Sequence, residues 1–522
     1  MTNWAARSTT MTTPELPPGP PLAASVADAE RRLHPMSWLF VLLQQLRQFI
    51  APLIALLLFG RGSSDRYGGN EWWPLIGVGV LVLLALWRYF TYRYGVLDDR
   101  LVIRSGVLHR SLRVIPFARI HNVALKQSLL HRVFGVAEVR LESAGGTKPE
   151  AEMRVLKLAD ALALESLVRQ RAHVGPATAQ AAPPASTTLL QLPLSEVLRL
   201  GVVSNRGMIV VGAGLAGLWQ FGGEQLGRRV QQQISGWLRE LFGYAGSHGY
   251  GPLDYALTGA SVILLAFALL RLLSMLLALL QHYGFTLTEH GRRLTVERGL
   301  LARWRTAASR RRIQAWTLHE GLLHRWLRRR SLLVDTAAAE QQGEPRALHE
   351  LAPIATPDAC DALIEHLLPR SGWSHLQWQA LDRRHWWRLW LFDVVAALLA
   401  CAALSWQLGA WGLIALAWLP WSAFKARRRI ARAGYAVSDH LIAVREGWIT
   451  RHWRFAELDK LQALRLAFTP LDRRCGTATL WLDTTGAGMN SPPLRIRFLP
   501  EPVARALHDG LARTLAQRPL RW

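Results

Sequence analysis

Six apolar stretches of membrane-spanning length constrain this chain more than any other feature of its sequence. A helix needs about 20 consecutive apolar residues to cross the hydrocarbon core of a bilayer. The stretches form three pairs, Trp38 to Phe59 with Trp72 to Tyr92, Gly207 to Phe221 with Tyr255 to Leu280, and Leu389 to Trp406 with Leu408 to Phe424. We therefore predict an integral membrane protein with six transmembrane helices arranged as three hairpins.

The positions of the basic residues predict which parts of the chain face the cytoplasm. The chain contains 62 Lys and Arg residues against 37 Asp and Glu residues, a formal net charge of +25. The basic residues concentrate after the second span of each pair, as between Lys425 and Tyr435, whereas the loops inside the pairs are mostly short or nearly balanced in charge. Because cytoplasmic loops retain positive charge, we predict a multi-pass protein of the bacterial inner membrane with both termini in the cytoplasm.

Three segments outside the spans have patterns of their own. The first thirty or so residues are rich in Thr, Pro and Ala and lack the apolar run of a signal peptide, which predicts a disordered cytoplasmic tail. Between Gln225 and Phe242, apolar residues recur at helical spacing, which predicts an amphipathic helix on the outer membrane face. A further short helix is predicted from Thr188 to Val203, after a linker rich in Pro and Ala.

Comparison of the sequence with itself shows three copies of one unit, each following a pair of spans. At an offset of 341, and without a gap over some fifty residues, Tyr94, Val96, Asp98, Gly106, Gly135 and Gly145 fall on Tyr435, Val437, Asp439, Gly447, Gly476 and Gly486. At an offset of 193, Gly106 and His131 fall on Gly299 and His324, but Gly135 and Gly145 fall on Arg328 and Ala338. The middle copy has therefore diverged most, and we expect any specialised binding role there.

Each copy has the pattern of a small antiparallel β domain. In the first copy, "RLVIRSGVLHRSLRVIPF", "VAEVRLESAGG" and "MRVLKL" read as strands, and "DALALESLVRQRA" reads as a closing amphipathic helix. Gly106, Gly299 and Gly447 fall where a tight turn requires a positive φ. We predict an α+β membrane protein in which each hairpin precedes a small sandwich or barrel with a C-terminal helix.

The same residues carry a family resemblance. The pattern Tyr-x-Val-x-Asp from Tyr94, "SGVLHR" and "IPFARIHNVALKQSLLHRVFGVAEVRLESAGG" resemble the bacterial pleckstrin-homology-like (PH-like) domain of the membrane-flanked type, and "RLHPMSWL" from Arg32 resembles the segment before that family's first span. The chain after the tail is similar to the larger, YdbT-like members. The resemblance implies cytoplasmic PH-like domains on a membrane anchor, often beside a smaller one-unit membrane protein of the same family, and a link to cell-envelope defence, but no established chemistry.

These patterns divide the chain into nine segments. They are a tail (1–36), hairpin 1 (37–93), PH-like domain 1 (94–173), a linker with the surface helix (174–205), hairpin 2 with the outer helix (206–281), PH-like domain 2 (282–370), a second linker (371–388), hairpin 3 (389–425) and PH-like domain 3 (426–522).

Two arginine clusters in the middle copy are candidate binding sites for anionic lipid headgroups or a partner protein. They are Arg310, Arg311 and Arg312, and Arg328, Arg329 and Arg330. Charge retained on the cytoplasmic side would explain both clusters equally well. Nucleic acid is not expected as a partner, because no aromatic stacking platform or recognition helix accompanies the charge.

Three ionisable residues fall within predicted spans, where an unpaired charge is costly. They are Arg47, Arg271 and Asp393, and pairing of Asp393 with either arginine would hold the hairpins together. Alternatively, the helices begin later and these residues lie at the membrane interface. The competing function is a transporter or lipid-handling channel in which the three residues line a polar path.

No motif points to catalysis. The string of Gly212, Gly214 and Gly217 lies in an apolar span and favours close helix packing over dinucleotide binding. In "HEGLLH", His319 and His324 are five residues apart and do not share a helical face, which argues against a zinc site. The three cysteines form no metal-spaced pair. We predict a non-enzymatic membrane scaffold with no catalytic residue, metal or cofactor, and leave its oligomeric state open.

Overall fold

The computed structural model describes 31–32, 92–97, 100–106, 111–117, 120–143, 151–171, 187–221, 231–237, 251–336, 348–484 and 491–517, with single positions from 34 to 43 and from 79 to 91, and 228 and 239–240. The chain forms two compact units. The first consists of Met1–Ile120, Met153–Leu156 and Ser166–Val174, and the second of His121–Glu152, Lys157–Glu165 and Gly175–Trp522.

The first unit contains one antiparallel sheet. Its strands, in spatial order, are β1 (Arg31–Arg32), β2 (Arg93–Val96), β3 (Arg100–Ser105) and β4 (Ser111–Pro116). The buried side chains of Leu101, Ile115 and Phe117 form its apolar face. The prediction of a disordered tail over 1–36 is wrong for Arg31 and Arg32, because their backbone pairs with Tyr94 and Arg93.

The strands of the remaining fold follow the predicted repeat. They are β5 (Ile120–Gln127), β6 (Val136–Ser143), β7 (Ala151–Lys157), β8 (Thr187–Gln191), β9 (Thr286–His290), β10 (Arg293–Arg298), β11 (Arg303–Ser309), β12 (Ile313–Glu320), β13 (Arg330–Thr336), β14 (Glu350–Ala355), β15 (Gln379–Ala380), β16 (Gly434–Val437), β17 (Leu441–Glu446), β18 (Arg451–Glu457), β19 (Leu461–Ala467), β20 (Thr477–Thr484) and β21 (Arg495–Pro500).

The described helices are short between strands and long where spans are predicted. They are α1 (Leu129–Val133), α2 (Leu158–Arg171), α3 (Leu194–Val203), α4 (Arg206–Phe221), α5 (Pro252–His282), α6 (Leu322–Trp326), α7 (Pro357–Leu367), α8 (Trp386–Leu408), α9 (Trp418–Arg432), α10 (Pro470–Cys475) and α11 (Glu501–Ala516). The short helices α1, α6 and α10 occupy equivalent places in the three copies.

Neighbouring copies share their β-sheets in the second unit. Strands β6, β5, β11, β10, β9 and β8 follow one another in one sheet, and β14, β13, β12, β18, β17, β16 and β15 in another, whereas β19, β20 and β21 form a third. We call the β5–β11 pairing joint one and the β12–β18 pairing joint two. Each joint ties a late strand of one copy to an early strand of the next, so the β domains are fused through their backbones.

The two joints have the same register. In joint one Gln127 lies opposite Arg303, and in joint two Glu320 lies opposite Arg451. At the offsets of 193 and 341 that relate the copies, these are equivalent residue pairs. The same pairing of neighbouring copies therefore occurs twice.

One strand of each copy precedes the predicted hairpin and pairs with the strand that follows it. The pairs are β1 with β2, β8 with β9 and β15 with β16. The predicted helix from Thr188 to Val203 is therefore wrong in its first half, where extended residues rich in Thr and Leu pair with β9. The helix α3 begins only after Pro193, whose fixed φ suits a helix start.

Among the described residues, two helices are long and apolar enough to cross a membrane, spanning Ala256–His282 and Arg383–Gln407. A third span results if α3 and the first part of α4, which meet at a bend of 51°, are taken together. The chain returns from α8 through a 3-10 segment, Gly409–Ala417, that leads into α9. The first predicted pair lies mostly outside the described residues. The outer connection is helical at the positions described, 228, 231–237 and 239–240.

The structure confirms the predicted turn glycines but contradicts the predicted close helix packing at another group of glycines. The turn glycines Gly299 and Gly447 have φ of 112° and 92°, and an added Cβ would lie 1.9 Å from a carbonyl oxygen at each. By contrast, no described atom lies within 4 Å of a Cβ added at Gly212, Gly214 or Gly217. Close helix packing occurs instead at Gly201, where a Cβ would lie 2.4 Å from the Cα of Met275 in α5.

Candidate functional site

The structure separates the two predicted arginine clusters. Arg310–Arg312 form a 3-10 turn before β12, whereas Arg328 and Arg329 follow α6, beyond the other end of that strand. Because β12 has eight residues and a strand rises about 3.3 Å per residue, the clusters lie roughly 25 Å apart. They do not form one site.

Most of the first cluster is engaged within the protein. Arg310 donates to the carbonyl oxygens of His366 and Leu367 and lies 3.6 Å from Glu289. Burial lowers the pKa of Arg312 to about 10. Arg311 is exposed, and its side chain has no partner among the described residues. It borders a cavity of about 290 Å³ whose charged lining also includes Arg292, Arg310, Arg370, Lys460, Glu457 and Asp459.

The second cluster is also largely structural. Arg329 donates to both carboxylate oxygens of Glu196 in α3, at 2.9 and 2.8 Å, and this hydrogen bonding lowers the pKa of Glu196. Arg330 lies 3.4 Å from Asp361 and stacks over Trp453. Arg328 is exposed and adopts a left-handed φ of 52°, where its repeat equivalents are glycines. Only Arg328 is therefore available to a ligand.

Of the residues predicted within the membrane, the structure describes Asp393 and Arg271 and does not bring these two together. Asp393 lies 3.1 Å from the Nζ of Lys425 in α9, so its partner is not Arg271. Arg271 donates to the carbonyl oxygens of Val202 and Ser204, where α3 ends. Arg47 lies outside the described residues. Arg271 thus caps the end of α3, and Asp393 in α8 pairs with Lys425 in α9.

A cavity lies beside joint one that the sequence analysis did not predict. It has a volume of about 330 Å³ and opens next to the C-terminal end of α5. Its lining residues are Leu125, Gln127, Leu158, Leu162, Tyr283, Gly284, Thr286, Glu297, Arg298, Gly299, Arg303, Trp304 and Arg305. The segment from Arg303 to Arg305, which alternates basic and aromatic residues on one strand, is the sequence signal that would have indicated it.

The charges of this cavity are only partly compensated. Arg305 lies 3.1 Å from Glu297 and 3.5 Å from Glu165. Arg298 is paired with the carboxylate of Glu350. Arg303 is exposed, and its side chain has no partner among the described residues. The wall of the cavity therefore presents one uncommitted guanidinium, with two others close by.

A partly buried charge network fixes the cavity relative to the helices. Glu350 lies 3.0 Å from Arg206 at the start of α4 and 3.6 Å from His282 at the end of α5. Burial alone would raise the pKa of Glu350, but Arg298, His282 and Arg206 outweigh it and bring the pKa to about 2. Glu350 is therefore ionised at neutral pH and joins the β domain to both helices.

The cavity suits an anionic group more than catalysis. Guanidinium groups bind phosphate oxygens with paired hydrogen bonds, and the apolar side chains of Leu158 and Leu162 can pack against a neighbouring hydrocarbon portion. Across the part of the chain that the structure describes, no group of three or more His, Cys, Asp or Glu residues is placed to hold a metal ion.

Comparison with known proteins identifies relatives of this architecture. The family described as "Bacterial PH domain" matches three segments, residues 39–172, 240–368 and 389–515. The UPF0699 transmembrane protein YdbT of Bacillus subtilis (strain 168) is 28% identical over 132 residues, which are 23% of this chain and 25% of that protein. The chain thus matches about a quarter of the length of that relative. No solved structure matches the present chain.

Proposed function

Since the chain belongs to the bacterial PH domain family, we propose that it is a non-enzymatic membrane scaffold whose β domains bind anionic lipid headgroups on the cytoplasmic side of the bacterial inner membrane. The observation that carries the proposal is the cavity beside joint one. It combines the uncommitted Arg303 with a position at the end of α5, a helix long and apolar enough to span a bilayer.

The sheet pairings support the proposed membrane topology. Strand β8 precedes α3 and α4, yet pairs with β9, which follows α5. In the same way β15 precedes α8 and pairs with β16 after α9. Paired strands lie on one side of a bilayer, because only helices and closed barrels cross it. The chain between each pair therefore crosses an even number of times, as three hairpins with cytoplasmic termini require.

The joints support a role as a scaffold. Joint one and joint two fuse successive β domains through backbone hydrogen bonds, so the binding surfaces of the copies are held at fixed spacing. Surfaces held in this way bind a membrane or partner with a combined strength that exceeds that of each. A smaller one-unit membrane protein of the same family is the partner we propose, and cell-envelope defence the setting, both from the family resemblance alone.

Headgroup binding is testable on the intact protein in detergent. We would titrate it with short-chain phosphatidylglycerol and, separately, short-chain phosphatidylcholine, and measure both affinities. Each basic residue near a headgroup contributes about 1 kcal/mol, so Arg303→Ala should weaken phosphatidylglycerol binding about fivefold. Arg311→Ala is the matched control, because Arg311 is equally exposed but borders the other cavity.

The outcomes separate the sites. Weakening by Arg303→Ala alone supports the proposal. Weakening by Arg311→Ala alone would move the site to the cavity at Arg310 and Arg311. Equal affinity for both lipids would reject recognition of headgroup charge.

A further inference from the structure

The short helices α1 and α6 expose apolar side chains to an unusual degree. The exposed residues are Leu129, Leu130 and Val133 in α1, and Leu322 and Trp326 in α6. Val133 is 77% exposed and Trp326 76%. Val133 and Trp326 occupy equivalent positions in the first and second copies. The exposed apolar face therefore occurs at the same place in both copies. Apolar groups this open to water in a folded domain indicate an interaction surface.

Contacts place α1 at the level where α5 ends. The backbone N–H of Leu300 donates to the carbonyl of Leu280 in α5, at 3.0 Å. Arg132 in α1 in turn donates to the carbonyl of Leu300, at 3.2 Å. Leu301 beside it is also exposed. Leu300 thus links α1 to the last turn of α5 through these two hydrogen bonds.

The helix α6 lies at the corresponding level of the next copy. Arg329, just after it, is bound to Glu196 in the first turn of α3. Glu320, just before it, lies opposite Arg451 at the start of β18. The turn that precedes β18 places Trp448 against Trp421 and Phe424 of α9. Tryptophan clusters of this kind are typical of the boundary between lipid and water.

We propose that α1 and α6 lie in the membrane interface, with Leu129, Leu130, Val133, Leu322 and Trp326 inserted among the lipids of the adjacent leaflet. The inference rests on the proposed function, in that α5 must cross the bilayer. Arg132, Arg325 and Arg328 surround the apolar residues, and such a mixture of basic and apolar side chains suits an anionic lipid surface.

The third copy supports a lipid rather than a protein partner. Its equivalent helix, α10, carries Pro470 and Arg474 in place of Leu129 and Val133 of the first copy. It is instead held to the start of α8 by Arg388, which donates to the carboxylate of Asp472 at 2.8 Å. The copy that is fastened directly to a spanning helix therefore lacks the exposed apolar face.

Spin labels on the intact protein in phospholipid nanodiscs test the proposal. Cys401→Ala and Cys475→Ala leave only the buried Cys360, and single cysteines are then introduced by Val133→Cys and Trp326→Cys. Collision of the nitroxide with oxygen, which concentrates in lipid, is compared with collision with a water-soluble nickel chelate. We expect both labels to favour oxygen at least threefold more than a label at Arg474→Cys.

Two further positions make the result decisive. Leu264→Cys, on the exposed middle of α5, should report lipid, and Asp459→Cys, beyond the far end of β18, should report water. A water-like signal at 133 or 326 together with a lipid-like signal at 264 overturns the inference for that helix. A water-like signal at 264 overturns the proposed membrane function itself.

Discussion

Joint one and joint two have the same backbone register but differ in what holds them. Joint two contains a buried ion pair between Arg454 and Asp335, which Thr317 and Ser491 complete with hydrogen bonds. Joint one has at its centre the ammonium of Lys126 over the ring of Trp304, 4.5 Å away, beside an open cavity. The comparison shows that the β-ladder fixes the geometry of a joint and leaves its side chains free to specialise.

The aromatic residues sharpen this contrast. In joint two, Trp316 is stacked on Phe455 with ring planes 6° apart, and Trp373 packs against the same Phe455. The position equivalent to Trp316 in joint one is Val123. We therefore expect the side chains of joint two to contribute more to stability than those of joint one, which leave the cavity open to a ligand. The following mutations and pH changes test this difference.

The largest effect is expected from Asp335→Ala in joint two. The mutation leaves Arg454, which is 2% exposed, as a buried charge without its carboxylate. Breaking a buried pair in this way costs about 3–5 kcal/mol. Hydrogen exchange of the β12 and β18 amides in the solubilised protein measures the free energy of opening. Glu297→Ala, which removes the exposed carboxylate beside Arg305 of joint one, is the control and should cost under about 1 kcal/mol, because both partners are partly exposed. Equal losses would refute the contrast.

Acid is expected to loosen joint two and spare joint one. Burial, then the charge of His452 opposite, lowers the pKa of His319, and burial, then His319, lowers that of His324 to about 4. Both rings gain a proton more readily when unfolded, so stability is complete above pH 6.5 and falls below it, for His324 down to about pH 4. At pH 5 we expect a loss of about 1–2 kcal/mol, allowing for partial exposure.

The same exchange measurement, made at pH 7 and pH 5, checks this. The ladder of joint one contains no histidine between Ala124 and Gln127 or between Arg303 and Thr306, so its amides are the internal reference. A similar loss in both joints would mean that general charge repulsion, not the histidines, is responsible.

A small gain is expected from Arg328→Gly, at the turn that follows the β12 strand of joint two. The left-handed φ of Arg328 strains an L-residue but not glycine, and the gain is reduced by the greater freedom of glycine when unfolded. We expect about 0.5–1 kcal/mol of stabilisation by urea denaturation. Gly135→Arg, the reverse change in the first copy, should destabilise by a similar amount. A loss with Arg328→Gly would show that the side chain of Arg328 is held by contacts that outweigh the strain.

The smallest effect is expected from Lys126→Met in joint one. It keeps the bulk of the side chain but removes the cation over Trp304 and a 3.9 Å ion pair with Glu138. Partly exposed interactions of this kind contribute about 0.5 kcal/mol. Exchange of the β5 amides should show it, and a loss above 2 kcal/mol would mean that the charges of joint one are held as firmly as the buried pair of joint two.

Much of the fold was predictable from local pattern. The repeat of Gly106, Gly299 and Gly447 placed the tight turns, and alternation placed the strands, because both depend on residues close in sequence. The pairing of β5 with β11 and of β12 with β18 was not predictable, since alternation shows which face of a strand is buried but not which strand lies at its edge. The strands β8 and β15 were not predicted either, because they are only five and two residues long and their partner strands are distant in sequence.

The candidate site was less predictable than the fold. The runs of arginine predicted binding sites at Arg310–Arg312 and Arg328–Arg330. In the structure, Arg310, Arg329 and Arg330 are bound to carboxylates or carbonyl groups from distant segments. Arg303, a single arginine next to a tryptophan, is the exposed member of the cavity at joint one. Whether an arginine is committed depends on residues far from it in sequence, 31 positions away for Arg330 and Asp361 and 133 for Arg329 and Glu196.

The pairing of β8 with β9 and of β15 with β16 also imposes an order on biosynthesis. In the proposed topology, each first strand leaves the ribosome before its hairpin and must wait until the whole hairpin has entered the membrane and returned. Only then does its partner strand exist, so a β domain cannot close before its helices are inserted. Under that topology, membrane insertion becomes a checkpoint for the folding of each successive copy, and a hairpin that fails to return leaves an unpaired strand edge behind it.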